Sequence, residues 1–491
     1  MSVADPELVG RLTALVGPAG LVLDDDGRRG YEAGARYGEG RAALVVRPST
    51  TAEVSAVVAD CVRNRVRLIP QGGNTGLVGA STPDLSGAEV VLSLDRLLAP
   101  LEVDPLNRSV VAGGGVRLST LNAALDPHGL FLPIDLGADP TVGGMAATNT
   151  GGARFIRYGD MRRQVLGLEV VLADEAGTVL ELRGGLRKDN TGLDLRQLFV
   201  GGAGTFGVVT RVDMEVQRQP RQTAAALILL EDPDAALPLL AHVEREAGEL
   251  LSAFEGKSRE ALVRALAHVP GLRNPFPGDP PPYAVLVEFS TVRPPRLGET
   301  RLEAILETCI GDWWERGEAV TLDALFGRPE DLWAIRHAIS EGLRASGRIV
   351  GFDLAFRRSR LPDFRRAMVA RLGEAFPEFA ICDFGHIGDG GVHFNLVCEP
   401  SRWPDPDRLE ALRTLVYDAT VREFGGSFSG EHGLGRVNLP YYRRYTPAPL
   451  RSLAAEVQRV FTQAPLGVVD YAEQESGPVV DSGAPRLRAA Q

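Results

Sequence analysis

Cysteine is scarce in this chain. Of 491 residues only four are cysteine, Cys61, Cys309, Cys382 and Cys398. None forms a CxxC pair and all are far apart, which argues against a disulfide scaffold, a thiolate zinc site and an iron–sulfur cluster. Buried free thiols in a reducing cytoplasm are the expectation. Lysine is scarcer still: Lys188 and Lys257 are the only two among 53 basic residues. Schiff-base chemistry therefore has almost no candidates. The arginine excess reads as base composition, since the hyperthermophile signal is lysine and glutamate enrichment. Long apolar runs are missing too. The longest, such as Ala224–Leu230, are strand-sized, so no membrane span is expected. Met1–Gly20 carries Asp5 and Glu7 and has no basic stretch followed by an apolar run, so no signal peptide is expected. Positive charge is in deficit, with a net charge of −11. Bulk attraction to nucleic acid or to an anionic membrane is not expected, which leaves only a local patch for such binding. Histidine numbers only seven, so any clustering is informative.

What is present is ordinary globular material. Hydrophobic residues make up 44% and charged residues 24%, enough for a large core in more than one domain. Strand and helix patterns alternate from Ala42. Ala42–Arg47 reads as a strand. Thr51–Asn64 reads as a helix, with Val54, Val57, Val58, Cys61 and Val62 on its apolar face and Ser49 or Thr50 as cap. Val66–Pro70 is a second strand. This mixed order points to an α+β or α/β domain. Further strands are expected at Val165–Ala173 and Val208–Val216, with a hairpin turn at Glu175–Gly177. From about Gln222 the glycines thin out and another α+β domain begins. It has strands at Ala224–Leu230, Tyr283–Phe289, Phe379–Phe384 and Val392–Cys398. Helices are expected near Pro238–Leu250, at Leu302–Arg316, Asp331–Ala345 and Asp363–Phe376, and over about Asp407–Phe424.

Two kinds of loop carry chemistry. The first is glycine-rich. Pro70-Gln-Gly-Gly-Asn-Thr-Gly76 directly follows a strand, and its glycines let backbone N–H groups converge on an anion. It fits neither GxGxxG nor GxxxxGK[ST], which disfavours a Rossmann site or a P-loop NTPase. A lone Gly-Gly would be a tight turn. Here glycine-rich loops return at 143–152 and 201–207, and three such loops suggest an extended diphosphate-bearing ligand.

The second kind is histidine-bearing. His386 and His393 stand at either end of the reversal Gly385-His-Ile-Gly-Asp-Gly-Gly-Val-His393. Glu431-His432 lies between Gly430 and Gly433. Two histidines and a carboxylate make a common three-ligand set for a divalent metal with an open position. The remaining histidine is then available to move protons. An isolated histidine is usually a satisfied imidazole, and His128, His242, His268 and His337 are read that way. On the helix around Trp333, Arg336 and Ser340 share a face at i, i+4. A guanidinium there suits a carboxylate substrate, although a single arginine in so arginine-rich a chain is more often a surface charge.

Pro70–Gly76, continued as Leu-Val-Gly79, resembles the phosphate loop of the FAD-linked oxidases of vanillyl-alcohol oxidase type. His386 and His393 with Glu431-His432 resemble the signature of their D-2-hydroxyacid dehydrogenase branch. Within that branch the segments 132–137, 152–159, 165–173 and 186–192 resemble most the D-2-hydroxyglutarate dehydrogenases. The match spans about residues 41 to 445. The resemblance implies a two-domain α+β fold of the vanillyl-alcohol oxidase (PCMH) type. An FAD-binding domain would occupy 1–220 and a substrate or cap domain 221–425. A segment 426–475 would complete the active site and return to the FAD domain, ahead of a flexible tail at 476–491.

Carried over by position, FAD would be bound by Pro70, Gln71, Gly72, Gly73, Asn74, Thr75, Gly76 and Leu77, and by Pro133, Asp135 and Gly137. Thr141, Gly143, Gly144, Thr148, Asn149, Gly151 and Gly152 would follow, then Gly202, Gly204, Thr205, Gly207 and Val208. No His or Cys lies in Gln71–Gly76, so the expected attachment is noncovalent. His386, His393 and Glu431 would hold a divalent metal, zinc being the first expectation. Arg336, Ser340 and Asn395 would contact substrate, and His432 would be the base. Arg336 would also be catalytic, as the carboxylate anchor.

The implied reaction is oxidation of a D-2-hydroxyacid to the 2-oxo acid by hydride transfer to flavin N5. Electrons would pass to an electron-transfer flavoprotein, a quinone or oxygen. A homodimer is compatible with the chain. Some positions depart from the branch. Gly351 stands where a lysine is usual, Gly391 where asparagine is, and Ala203 where glutamate is. The usual Asn-Pro-Gly-Lys near the end is replaced by Leu466-Gly-Val-Val-Asp470. The Gly351 departure keeps a D-lactate or glycolate dehydrogenase open as the alternative substrate class. An alkylglycerone-phosphate-synthase-like transferase, using FAD without net redox, is disfavoured by the intact metal set. A non-catalytic flavoprotein would leave that set without a role.

Overall fold

The computed structural model describes residues 5–36, 38–317 and 320–472. The tail expected at 476–491 lies outside the described residues. The chain divides into two compact units. The first is formed by Met1–Thr150, Asp160–Gln217 and His432–Gln491, so far as these are described; the second by Gly151–Gly159 and Arg218–Glu431.

The first unit is built on two sheets. One has four strands in the order Leu21–Val22, Ala42–Val46, Glu89–Ser93, Leu68–Gln71, and its last three strands run parallel. Helix Thr51–Arg63 packs on it. Its Val54, Val57, Val58 and Cys61 are fully buried, and the Thr50 side chain caps the Glu53 amide. A run of Val and Leu buried on both faces is what a parallel strand requires, and Ala42–Val46 is buried throughout. The other sheet has five antiparallel strands in the order Leu101–Asp104, Ser109–Gly113, Val208–Glu215, Val165–Val171, Val179–Leu182. Its core includes Val110, Leu121, Met145, Leu168, Val170 and Val212.

The second unit is one seven-stranded antiparallel sheet. In chain order its strands are β1 (Gln222–Leu230), β2 (Leu251–Ser258), β3 (Tyr283–Thr291), β4 (Thr321–Gly327), β5 (Arg348–Ala355), β6 (Ala380–Gly385) and β7 (Gly391–Cys398). Across the sheet they lie in the order β4-β1-β3-β2-β6-β7-β5. Helices α1 (Arg259–His268) and α2 (Pro329–Ser346) cover one face. A Cβ at Gly342 of α2 would lie 2.5 Å from Ala265 Cα of α1, so the two helices touch backbone to backbone. Beneath them Ala338, Ile339 and Leu343 bury Cys382, Phe384 and Val397.

Register aligns one row across four strands. Lys257 of β2 is opposite Phe384 of β6, Phe384 is opposite His393 of β7, and His393 is opposite Asp353 of β5. Directly opposed residues of antiparallel strands point to the same face. Phe384 packs under α2, so the row faces the helices. The helix expected over Asp407–Phe424 is regular only over Pro406–Asp418 and widens into a π-turn at Ala419–Glu423. Strands β2, β4 and β5 were not anticipated from the sequence. In β2 every residue is buried although Ser252, Glu255, Lys257 and Ser258 are polar.

Candidate active site

The glycine loops of the first unit form one continuous wall. The loop after Leu68–Gln71 leans on the start of helix Val142–Thr148, where a Cβ at Gly72 would overlap Thr141 Oγ1. The end of that helix accepts hydrogen bonds from the Gly201 amide (Ala146 O, 3.0 Å) and the Ala203 amide (Ala147 O, 2.7 Å). A Cβ at Gly204 would lie 3.8 Å from the Pro70 ring. Among the described residues, the amides of Gly72, Gly73, Thr75 and Gly76 make no hydrogen bond to protein. A Cβ at Gly76 or Gly137 would meet open space. Bare amides over open space are what a diphosphate chain needs, and these residues fit FAD.

Not every expected contact has its side chain available. Gln71 donates to Tyr31 O (2.9 Å) and Ser81 O (2.7 Å), and Asn74 to Ala33 O (2.7 Å), so both build the loop. Asn149 has a positive φ of 51° and donates to Asp160 at 2.7 Å. Thr148 bonds Gly144 O, and Thr205 bonds Val469 O. Pro133 and Val208 are buried, while Asp135 and Leu77 are half-buried. A Cβ at Gly143 or Gly207 would lie 3.0 Å from the backbone carbonyl oxygen of Val209 or Val171. Gly202 packs on Phe206, and Gly144 faces only Thr141. Gly151 and Gly152 belong to the second unit.

The second unit gathers the histidines. β6 ends at Gly385, where φ is +133°, and the chain reverses through His386 to Gly390. Gly390, at φ +95°, sits against Phe356 O, where no side chain fits. β7 then presents His393. Glu431 arrives on a separate segment fixed to β5. The Gly430 amide donates to Asp353 O (3.1 Å) and the Glu431 amide to the Asp353 carboxylate (2.9 Å). Glu431 Oε1 thereby lies 3.4 Å from His393 Nε2 and 3.6 Å from His386 Nε2. One donor atom each of Asp353, His393 and Glu431 lie within 4.8 Å of one another, a group that does not take in the expected ligand His386. Two imidazole nitrogens converging on carboxylate oxygens suit a divalent transition metal, so the donor set fits. Burial pushes His393 down to about 4, which leaves its ring neutral with a lone pair to give. His432 follows Glu431 directly and opens the segment assigned to the first unit.

Arg336 of α2 lies over the Phe384 ring at 4.8 Å. Its Nε donates to Glu255 at 2.5 Å, its only hydrogen bond among the described residues. Ser340, one turn later, is exposed. Asn395 is buried, and its amide donates to His393 O at 3.1 Å. Glu255 was missed by sequence reasoning. It is fully buried, and its other oxygen meets His386 Nδ1 at 2.5 Å. Burial opposes its charge, but His386 and Arg336 together overcome that and hold the carboxyl well below its ordinary range. Burial likewise opposes charge on His386, and Glu255 and Glu431 raise it well above the usual imidazole value. Asp353 was missed as well. Only sheet register brings the two residues to the histidines.

Two family models match the chain. An FAD binding domain covers residues 42–183, and the C-terminal domain of FAD linked oxidases covers 219–461. The chain belongs to the FAD-linked oxidase family. Within this family it is similar to proteins named as D-2-hydroxyglutarate dehydrogenases. One from Oryza sativa subsp. indica, named as probable and mitochondrial, is 35% identical over 438 residues, 88% of this chain and 76% of that one. The mitochondrial enzyme of Bos taurus is 36% identical over 81% of this chain and 70% of its own. That of Stutzerimonas stutzeri (strain A1501) is 33% identical over 93% and 97%. Among solved structures, p-cresol methylhydroxylase with substrate bound aligns at a TM-score of 0.70 and 14% identity, over 93% of this chain and 94% of that one. An alkyldihydroxyacetonephosphate synthase aligns at 0.64 and 18%, over 93% and 83%. These distant likenesses show the PCMH-type FAD-binding fold alone. Family membership makes the chain an FAD-dependent oxidoreductase. No described helix is long and apolar enough to cross a membrane.

Proposed function

We propose that the protein oxidises a D-2-hydroxyacid to the 2-oxo acid, with D-2-hydroxyglutarate the leading substrate, as the names of its relatives suggest. The observation that carries the reading is the meeting of His386, His393 and Glu431 beside Arg336. FAD, when bound, supplies the two-electron acceptor for the substrate's Cα hydride. A divalent metal held by His386, His393 and Glu431, zinc by preference, would lower the pKa of the substrate hydroxyl. Arg336 orients the substrate. Its Nε is tied to Glu255, so its terminal NH2 groups are left for a carboxylate. Asn395 stays beside His393 and narrows the choice of groups that fit there. His432 takes the hydroxyl proton as the carbonyl forms. The buried cysteines suit a reducing compartment such as the cytoplasm.

A second reading, a D-lactate or glycolate dehydrogenase, is favoured by Gly351. It lies opposite Asn395 and offers no side chain to a second carboxylate. A panel of D- and L-2-hydroxyacids, assayed with an artificial electron acceptor, tests both. The D-dicarboxylic acid is expected to give the highest kcat/KM. Preference for D-lactate would support the second reading, and turnover of no 2-hydroxyacid would overturn both.

A further inference from the structure

One carboxylate joins the two halves of the proposed site. Glu255 is buried in the middle of β2, and each of its oxygens has a different partner. Oε1 meets His386 Nδ1 and Oε2 meets Arg336 Nε, both at 2.5 Å. Two residues on, buried Lys257 donates to the Glu255 carbonyl at 3.2 Å. A carboxylate so far from water is costly unless each lone pair is used, and here the users are an expected metal ligand and an expected substrate anchor. We propose that Glu255 is a positioning residue that couples metal binding to substrate binding, a role that rests on the functional reading above.

The physical grounds are directional. Accepting the Nδ1–H hydrogen bond fixes the orientation of the His386 ring, so Nε2 faces Glu431 and is the atom left to bind a metal once its proton is lost. Accepting from Arg336 Nε fixes the plane of the guanidinium, whose terminal NH2 groups then keep one orientation over Phe384. A rigid strand thus sets both directions through a single side chain.

The test uses the FAD-loaded enzyme and two variants, Glu255→Gln and Glu255→Asp. Gln keeps the shape and loses the charge, whereas Asp keeps the charge and loses the reach. Metal affinity is measured without substrate, by chelator competition with zinc. KM for the preferred hydroxyacid is then measured at saturating zinc. The account expects the zinc dissociation constant to rise roughly 10–100-fold. In the same variant KM should rise about tenfold or more. His386→Ala should weaken zinc alone and Arg336→Met should raise KM alone. A folded variant with full FAD content that keeps either wild-type value overturns the coupling. If Glu255→Gln fails to fold, Glu255→Asp decides. If the wild-type enzyme itself binds no zinc, the functional reading fails and the coupling falls with it. If the wild type binds zinc and turns over while both variants match it, only the coupling fails.

Discussion

Asp353 and Glu255 do similar work by different routes. Asp353 holds the Glu431 backbone, and Glu255 holds the His386 ring. Neither shows in the sequence as more than an acidic residue, because a strand's partner is chosen by register. Lys257 makes the same point with a measurable consequence. Burial first, and Arg336 second, lower its pKa from 10.5 to about 7 against the pull of Glu255. Between about pH 7 and 10.5 the unfolded chain therefore holds the proton that the folded chain has lost. Stability contributed by this group rises with pH across that window, and the full cost of the buried charge is felt at or below pH 7. Lys257→Met should raise the Tm most near pH 7, and its advantage should shrink toward pH 10. A Tm difference flat over that range would show that Lys257 does not titrate there.

At the scale of elements, the FAD wall depends on where glycine is obligatory. Gly72 faces buried Thr141, whereas Gly76 faces open space. Gly72→Ala should cost about 1–3 kcal/mol of stability by overpacking and lower the FAD content of the purified protein. Gly76→Ala should leave stability near wild type, since its Cβ meets no protein atom, while still lowering FAD content by entering the space left for the diphosphate. Thermal melts separate the two, and an equal loss of stability at both positions would contradict the contact assigned to Gly72. The same elements show what the sequence made legible. Helix Thr51–Arg63 was readable because its buried residues recur at helical spacing. The reversal between β6 and β7 was readable because glycine marks it. β2 was not, because Ser252, Glu255 and Lys257 mimic a solvated segment while lying fully inside. Pattern rules take burial from polarity, and a functional strand breaks that link. Ser340 shows the converse: helical spacing placed it with Arg336, but on α2 it is exposed.

At the scale of the whole molecule, a chain of net charge −11 holds a site where Arg336 and His386 meet one buried carboxylate. The terminal NH2 groups of Arg336, not engaged by Glu255, suit an anionic substrate. The family assignment supplies FAD, and the histidine cluster of the second unit supplies the place for a metal. The central claim is that both are needed to oxidise a D-2-hydroxyacid. Anaerobic flavin reduction tests it most directly: the FAD-loaded enzyme is mixed with D-2-hydroxyglutarate before chelation, after chelation, and after zinc is restored. The account predicts fast bleaching of the flavin, a fall of at least about a hundredfold on removing the metal, and recovery on adding it back. Bleaching at an unchanged rate in the metal-free enzyme would contradict it.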